Sequence, residues 1–444
     1  MARQYFGTDG VRGRVGESPM TVDFALRLAS AAARVLAPQG GKVLIGKDTR
    51  LSGYMFESAL EAGFVAAGVD AMLIGPLPTP GIAFLTRRFG CDFGVVISAS
   101  HNLYEDNGIK FFDAEGGKLS DALEEQIEAE LANPPLTQHS RALGRASRVD
   151  KLRSHYQEFC ASTLPAGVDL AGMKIVIDCA HGAGYKVAPR ILADLGAEIV
   201  PIGCSPNGRN INDGCGSTAP QLLQLTVPGV RAEVGIALDG DGDRLVMVDH
   251  FGRVLDGDQL LYIMATARAA EGVLRGPVVG TVMSNLGLEI ALREQGIGFR
   301  RAQVGDRYVL AALREEGGEL GGETSGHILT LDKTTTGDAI IAALQVLAVM
   351  RRSGRTLAEL AAPMAKFPQV MLNVRVARRS DPLQNPAIAA AVAAVEQRLG
   401  GEGRVVLRAS GTEPVIRVMV ECREAADAKS CAAELSEAVA RATR

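Results

Sequence analysis

One rhythm recurs three times along this chain, and it dictates the class of fold. The first copy reads GKVLIGKDTR, then a helical run from Gly53 to Ala67, then a returning apolar run from Gly68 to Ile74. The second reads MKIVIDCAHGAG, a helical run from Ala188 to Leu195, and a return over Gly196 to Val200. The third reads GPVVGTVMSN, a helical run from Leu286 to Glu294, and a return over Gly296 to Phe299. Short β-branched runs before each loop favour strands. Glycine after each helix fits a C-cap. The alternation predicts βαβ units with mainly parallel, mixed sheets. Three copies predict three related α/β domains, although a shared supersecondary unit alone would give the same rhythm.

The tail breaks the rhythm. NVRVARR reads as a strand, Pro386 to Leu399 as a helix, RVVLR and VIRVMVE as strands, and Ala425 to about Ala440 as a helix. A smaller C-terminal α+β domain is expected. Turn-rich segments at Gly144 to Val149, His250 to Gly257 and Ala362 to Pro368 set the expected domains at 1–148, 149–250, 251–366 and 367–444.

Charge and cysteine usage narrow the function. A formal net charge of −4 gives no basis for a nucleic-acid or anionic-membrane surface. The seven cysteines are scattered with no CxxC pair, which argues for a reducing compartment and against a zinc cluster. The start, MARQYFGTDGVRGR, lacks the apolar stretch of a signal peptide, and the apolar run from Ala339 to Met350 is too short to span a bilayer. No membrane partner is expected.

Four loops carry the chemistry. VISASHN follows an apolar run and sets Ser100 beside His101, with Ser98 as a rival hydroxyl. Ser100 can act as a nucleophile or carry a phosphoryl group, and His101 can position or neutralise its oxygen. A Ser-rich loop with a structural histidine fits the five residues equally well. Neither a G-x-S-x-G elbow nor a P-loop is present. Lys110 follows a turn at Asn107-Gly108, where its amine can return to bind phosphate or, if desolvated, act as an acid or base; a solvated lysine is the alternative.

DGDGDR places Asp239, Asp241 and Asp243 at spacing two after an apolar run. Three hard oxygens suit Mg²⁺ and leave positions for phosphate and water. An acidic turn is the competing reading, but close carboxylates repel unless a cation or water separates them. Arg244 stands where an EF-hand needs glycine. It can contact phosphoryl oxygen or restrain an aspartate.

GGETSGH offers Glu323 and Ser325 to sugar hydroxyls and His327 to phosphate or a proton, unless it is only a Gly-rich turn. GDRY makes Arg307 a phosphate ligand or the partner of Asp306. RASGTEP, with Arg417 beyond it, suggests a phosphate clamp of Arg408, Ser410, Gly411 and Thr412, with an ordinary turn as the alternative.

The ordered set YFGTDGVRG, SASHN, DGDGDR, GETSGH and RASGTEP resembles the alpha-D-phosphohexomutase superfamily over nearly the whole chain. Within it the likeness is to the bacterial phosphoglucosamine mutase branch. The resemblance implies three related α/β domains and a smaller terminal one around a central cleft. It implies phosphoserine at Ser100, Mg²⁺ on Asp239, Asp241 and Asp243 with Ser100, sugar contacts from Glu323 and Ser325, and phosphate contacts from Arg408, Ser410 and Thr412. It also brings Arg12, His101, Lys110, His327 and Arg417 to the cleft. Leu103 departs from the proline that many relatives carry after SASHN. Thr324 stands where hexose-specific relatives often have methionine.

The implied reaction interconverts glucosamine 6-phosphate and glucosamine 1-phosphate through glucosamine 1,6-bisphosphate, which is also a candidate activator. A kinase or a bisphosphosugar would phosphorylate Ser100. A homodimer and a bacterial cytoplasmic setting, upstream of UDP-N-acetylglucosamine, follow from the same resemblance. Mannose or glucose phosphates as substrates, a phosphatase, and a non-catalytic sugar-phosphate sensor are the rival readings.

Overall fold

A computed structural model describes residues 4–376, 381–409 and 414–443. Four sheets follow one another along the chain. The first has seven strands in the order Phe6–Gly7, Gly10–Arg14, Asp106–Asp113, Phe93–Ile97, Gly41–Lys47, Val69–Pro76 and Ala146–Arg148. The strand Gly41–Lys47 runs parallel to both neighbours. The second sheet has five strands built on the parallel set Val234–Leu238, Lys174–Asp178 and Glu198–Ile202. The third has four, built on Phe299–Ala302, Val278–Thr281 and Leu320–Gly322. Antiparallel strands extend all three, so the sheets are mixed α/β. The fourth, Gln369–Arg375, Val415–Cys422 and Gly403–Ala409, is antiparallel throughout.

The repeated rhythm maps onto the βαβ cores. The helices Ser52–Ala66, Val187–Asp194 and Leu286–Glu294 each stop before a glycine with positive φ, at Gly68 (92°), Gly196 (97°) and Gly296 (69°). Only glycine enters that conformation without a Cβ penalty. The third return strand begins later than its sequence suggested, at Phe299 rather than Gly296. The amide of Ile297 bonds back to Leu292 and spends those residues on closing the helix. The strand itself, FRRA, shows no alternation of apolar and polar residues to announce it.

One apolar core runs through the first three sheets, joining Leu44 and Val96 to Ile175, Leu238, Val278 and Leu344. The helix Ala339–Ser353 is buried in this core along most of its length, which explains its apolar composition. No helix among the described residues is long and apolar enough to cross a membrane. The C-terminal sheet has a core of its own around Val374, Ile388, Ile416 and Leu435. It docks on the third sheet by polar contacts, in which Arg404 reaches the carbonyls of Val282 and Ser284.

The sheets share one topological device. In each of the first three, a parallel strand turns and returns antiparallel: Phe93–Ile97 into Asp106–Asp113, Val234–Leu238 into Leu245–Asp249, Leu320–Gly322 into Ile328–Thr330. The fourth sheet does the same with Gly403–Ala409 and Val415–Cys422. The first three turns carry SASHN, DGDGDR and GETSGH, and RASGTEP falls between the two strands of the fourth pair. Ser410, Gly411, Thr412 and Glu413 lie outside the described residues.

Candidate active site

Ser100 sits at the end of a fully buried strand, in the left-handed region at φ 52°. A non-glycine residue stays there only when its surroundings over-determine it. Here they do. Its amide donates to Ser98 Oγ at 2.9 Å, and Ser98 Oγ donates to Asp48 Oδ2 at 2.5 Å. Asp48 pairs with Arg50 at 2.8 Å, both fully buried. Arg50 in turn donates to the carbonyls of Ser100 (3.0 Å), Asn102 (2.8 Å), Asp106 (3.2 Å) and Leu103. Asn212 adds a bond to the Ser100 carbonyl at 2.8 Å. Ser98 is therefore committed to the scaffold. The Ser100 hydroxyl faces the next hairpin and donates to Asp239 Oδ2 at 2.6 Å. Leu103 leaves the turn intact, because Arg50 holds its carbonyl.

The second turn folds around its own first aspartate. Asp239 Oδ1 accepts the amides of Asp243 and Arg244, each at 3.1 Å. Gly240 has no room for a side chain, since a Cβ there would lie 2.6 Å from the Ser100 carbonyl. Thr79 donates its hydroxyl to Asp241 Oδ2 at 2.7 Å. One oxygen from each of Asp239, Asp241 and Asp243 falls within 4.8 Å of the others, and all three residues are buried. Oδ1 of Asp241 and Oδ1 of Asp243 are buried without a hydrogen-bond partner. Buried carboxylate oxygens are costly when unpartnered. Two such oxygens beside Asp239, in a set of three carboxylates this close together, fit a hard cation. Burial, with Asp243 and Asp241 beside it, pushes the Asp239 carboxyl well up in the absence of a cation.

A ring of alternating charge closes the site. Lys110 Nζ lies 2.7 Å from Asp241 and 2.8 Å from Asp9. Lys118 bridges Asp9 (2.6 Å) and Asp306 (2.5 Å). His327 stands between Asp306 (Nε2, 3.3 Å) and Asp243 (Nδ1, 3.6 Å), and Lys110 returns to Asp243 at 3.8 Å. The ring draws on all three α/β sheets' segments. Burial opposes the Lys110 ammonium, but Asp241 and Asp9 outweigh it and raise its pKa. Its carboxylate neighbours favour the charged ammonium. Burial likewise opposes the His327 imidazolium, yet Asp243 and Asp306 raise it to about 9. Its Nε2 makes no hydrogen bond. His101, 3.4 Å from Ser100 Oγ, moves the other way: burial, with Arg244 and Arg12 nearby, pushes it down to about 4. From this position its imidazole can orient the serine oxygen.

A cleft of about 290 Å³ opens over this ring, lined by Arg12, Asp243, Arg244, Asp306, Glu323 and His327 among others. Arg12 is paired with Asp9. Glu323 Oε1 accepts the amide of Gly305 at 2.9 Å, and Ser325 on the same loop is exposed. Arg408 and Arg417 face each other across the last hairpin and line a separate cavity of about 170 Å³. The structure does not bring Arg307 to the cleft. Its guanidinium crosses to Glu124 at 2.8 Å and to Asp121, while its backbone amide donates to Asp306 Oδ1 at 2.8 Å. Asp9, Lys118, Arg50 and Thr79 escaped the sequence reading. Asp48-Thr49-Arg50 at the carboxyl end of a parallel strand was the available signal.

Family models match the chain in four consecutive stretches. They are phosphoglucomutase/phosphomannomutase alpha/beta/alpha domain I over residues 3–137, domain II over 155–252, domain III over 256–367, and the C-terminal domain over 371–438. This chain belongs to the phosphoglucomutase/phosphomannomutase family. Members of this family are isomerases that move a phosphoryl group within a sugar phosphate, and the chain is an enzyme of that kind. It is 58% identical to phosphoglucosamine mutase of Glaesserella parasuis, over 99% of each chain. It is 59% identical to phosphoglucosamine mutase of Thioalkalivibrio sulfidiphilus, over 99% of this chain and 98% of that one. The fold of a phosphoglucomutase/phosphomannomutase family protein from Burkholderia thailandensis superposes with a TM-score of 0.81 at 23% identity, covering 98% of this chain and 97% of that one. N-acetylphosphoglucosamine mutase of Aspergillus fumigatus, solved with GlcNAc-6P and magnesium, superposes at 0.71 with 19% identity, covering 99% and 96%.

Proposed function

We propose that this chain interconverts glucosamine 6-phosphate and glucosamine 1-phosphate, with Ser100 as the residue that carries the transferred phosphoryl group. The observation that carries this reading is the Ser100 hydroxyl, 2.6 Å from Asp239 at the edge of a buried three-carboxylate cluster. The amino sugar comes from the full-length relatives, named phosphoglucosamine mutase at 56–59% identity.

In the first half-reaction the P–Oγ bond of phospho-Ser100 breaks and a P–O bond forms to the substrate's C1 hydroxyl. The proton lost by that hydroxyl ends on the freed Ser100 oxygen, and the product is glucosamine 1,6-bisphosphate. The bisphosphate turns over in the cleft. Its 6-phosphoryl group then passes to Ser100 and glucosamine 1-phosphate departs. Mg²⁺ held by Asp239, Asp241, Asp243 and the Ser100 phosphate would supply charge neutralisation for the transferring group. Arg12 and Arg244 supply cationic walls, and Lys110 and His327, beside the carboxylate cluster, are the candidates for local proton transfer. Glu323 and Ser325 would read the sugar hydroxyls. Arg408 and Arg417, two like charges paired across a hairpin, are stabilised by an anion between them, which suits the non-reacting phosphate. The bisphosphate or a kinase would load Ser100 initially.

The test compares glucosamine, glucose and mannose 6-phosphates on phosphorylated enzyme with Mg²⁺, alongside Ser100→Ala. Preference for the amino sugar and a loss of at least about 10³-fold in the variant are expected. Equal turnover of neutral hexoses would replace the substrate assignment. Release of inorganic phosphate without isomer formation would replace the reaction.

A further inference from the structure

Thr324 lies between the two residues assigned to the sugar, yet its hydroxyl is bonded elsewhere. Oγ1 donates to Asp258 Oδ2 at 2.8 Å. The same carboxylate oxygen accepts the amide of Asn285 at 2.9 Å. Asp258 is fully buried in the first turn of the helix Gly257–Ala270. Beside it, the amide of Gly257 donates to the Thr324 carbonyl at 3.1 Å. A Cβ on Gly257 would come within 2.1 Å of the Glu323 carbonyl. The loop is therefore seated directly on the start of this helix, by one main-chain bond and one hydroxyl.

Asn285 carries the connection onward. Its side chain caps the helix Leu286–Glu294 and pairs in both directions with the backbone of Phe367, each bond 2.9 Å. Phe367 leads into Gln369–Arg375, the first strand of the C-terminal sheet. The next amide, Leu286, donates to Glu421 of that sheet at 2.9 Å. Glu421 is fully buried and pairs with Arg404 at 2.7 Å, and Arg404 holds the Ser284 carbonyl at 2.6 Å. The segment from Val282 to Leu286 is gripped by Asp258 from one side and by the C-terminal domain from the other.

We propose that Thr324 is a positioning residue that ties the sugar-recognition loop to the seating of the C-terminal domain through Asp258 and Asn285. This inference rests on the mutase reading above. A buried carboxylate loses a donor when the hydroxyl is removed, and hydrogen bonds to charged groups are the strong ones. With the tie cut, the part that holds the sugar and the part that holds the distal phosphate no longer settle together. The bisphosphate intermediate is the species that depends on both.

The experiment uses the full chain with Thr324→Val, Thr324→Ser and, from the other side of the gripped segment, Glu421→Gln. It reads kcat, KM, bisphosphate released into solution per turnover, and amide exchange at Asn285 and Phe367. Thr324→Val and Glu421→Gln should release about fivefold more bisphosphate or beyond, within the usual range of coupling between sites. In Thr324→Val, kcat should fall more than KM rises, and the two amides should exchange faster. Thr324→Ser, which keeps the donor, should behave as the parent. Parental release and exchange in Thr324→Val, or an equal defect in Thr324→Ser, would overturn the tie. Should the parent fail to interconvert glucosamine phosphates, the function reading falls, while the exchange measurement still decides the tie.

Discussion

The hydroxyl of Ser100 donates to Oδ2 of Asp239 at 2.6 Å, joining the turn of one hairpin to the turn of the next. Nucleophile and candidate metal ligand are thus set against each other before any ligand arrives.

Removing divalent cations should abolish turnover and lower the melting temperature, because the Asp239, Asp241 and Asp243 carboxylates then repel at close range. Adding Mg²⁺ back at about 100 times its dissociation constant should restore about 2.7 kcal/mol of stability. A melting temperature indifferent to chelator and to Mg²⁺ would remove the cation from this cluster.

Arg50→Lys should impair catalysis although Arg50 lies beneath the serine turn rather than in the cleft. An ammonium cannot span the Ser100, Asn102 and Asp106 carbonyls while also pairing with Asp48. Breaking such a buried pair costs about 3–5 kcal/mol. A melting curve should fall accordingly, with kcat reduced by about 10²-fold from misplacement of Ser100. Unchanged kcat in a destabilised variant would show that the turn is held by other means.

Arg307 and Arg244 should separate cleanly in steady-state kinetics. Arg307 is engaged with Asp121 and Glu124, so Arg307→Ala should change KM by less than about twofold. Arg244 lines the cleft, and Arg244→Ala should raise KM by about tenfold or more. The reverse ranking would return Arg307 to the substrate.

Asp338 gives stability a pH dependence. It caps the helix Ala339–Ser353 and accepts the Tyr156 hydroxyl at 2.9 Å. Burial pushes its carboxyl up from 3.8 to about 6 despite those donors. A folded value above the unfolded one means that protonation favours the fold. The contribution is complete below about pH 4 and is lost as pH rises through about 6, on the order of 3 kcal/mol. Asp338→Asn stays neutral and keeps a capping oxygen. Relative to the parent, its melting temperature should rise between about pH 4 and pH 7. A gap that does not move with pH would contradict this account.

The strand–loop–helix repeats, their glycine stops and the four motif turns were legible because each is written in one contiguous stretch. Helix Leu286–Glu294 matches its expected bounds for that reason. What contiguous reading misses is charge assembled across segments. Lys110 looked like a lysine whose proton was negotiable, because neither Asp9 nor Asp241 is near it in sequence. Arg307 looked like a partner for Asp306 beside it, whereas its carboxylates come from a helix 183 or more residues away. Ser98 stood as the rival to Ser100, and its bond to Asp48 ties it to the scaffold.

The placement of SASHN, DGDGDR and GETSGH at hairpin tips separates two burdens that most enzymes mix. The strands below each tip carry the apolar core, while the tip carries the reactive side chains and is held by its own polar network. A duplicated unit of this form can specialise copy by copy, one tip becoming the phosphoryl carrier, another the metal seat, another the sugar reader, without renegotiating the scaffold. A library confined to Glu323 and Ser325 should therefore yield altered substrate preference at nearly constant folding yield, with Thr324 keeping its hydroxyl and Gly326, whose Cβ would meet the Leu245 carbonyl, left unchanged.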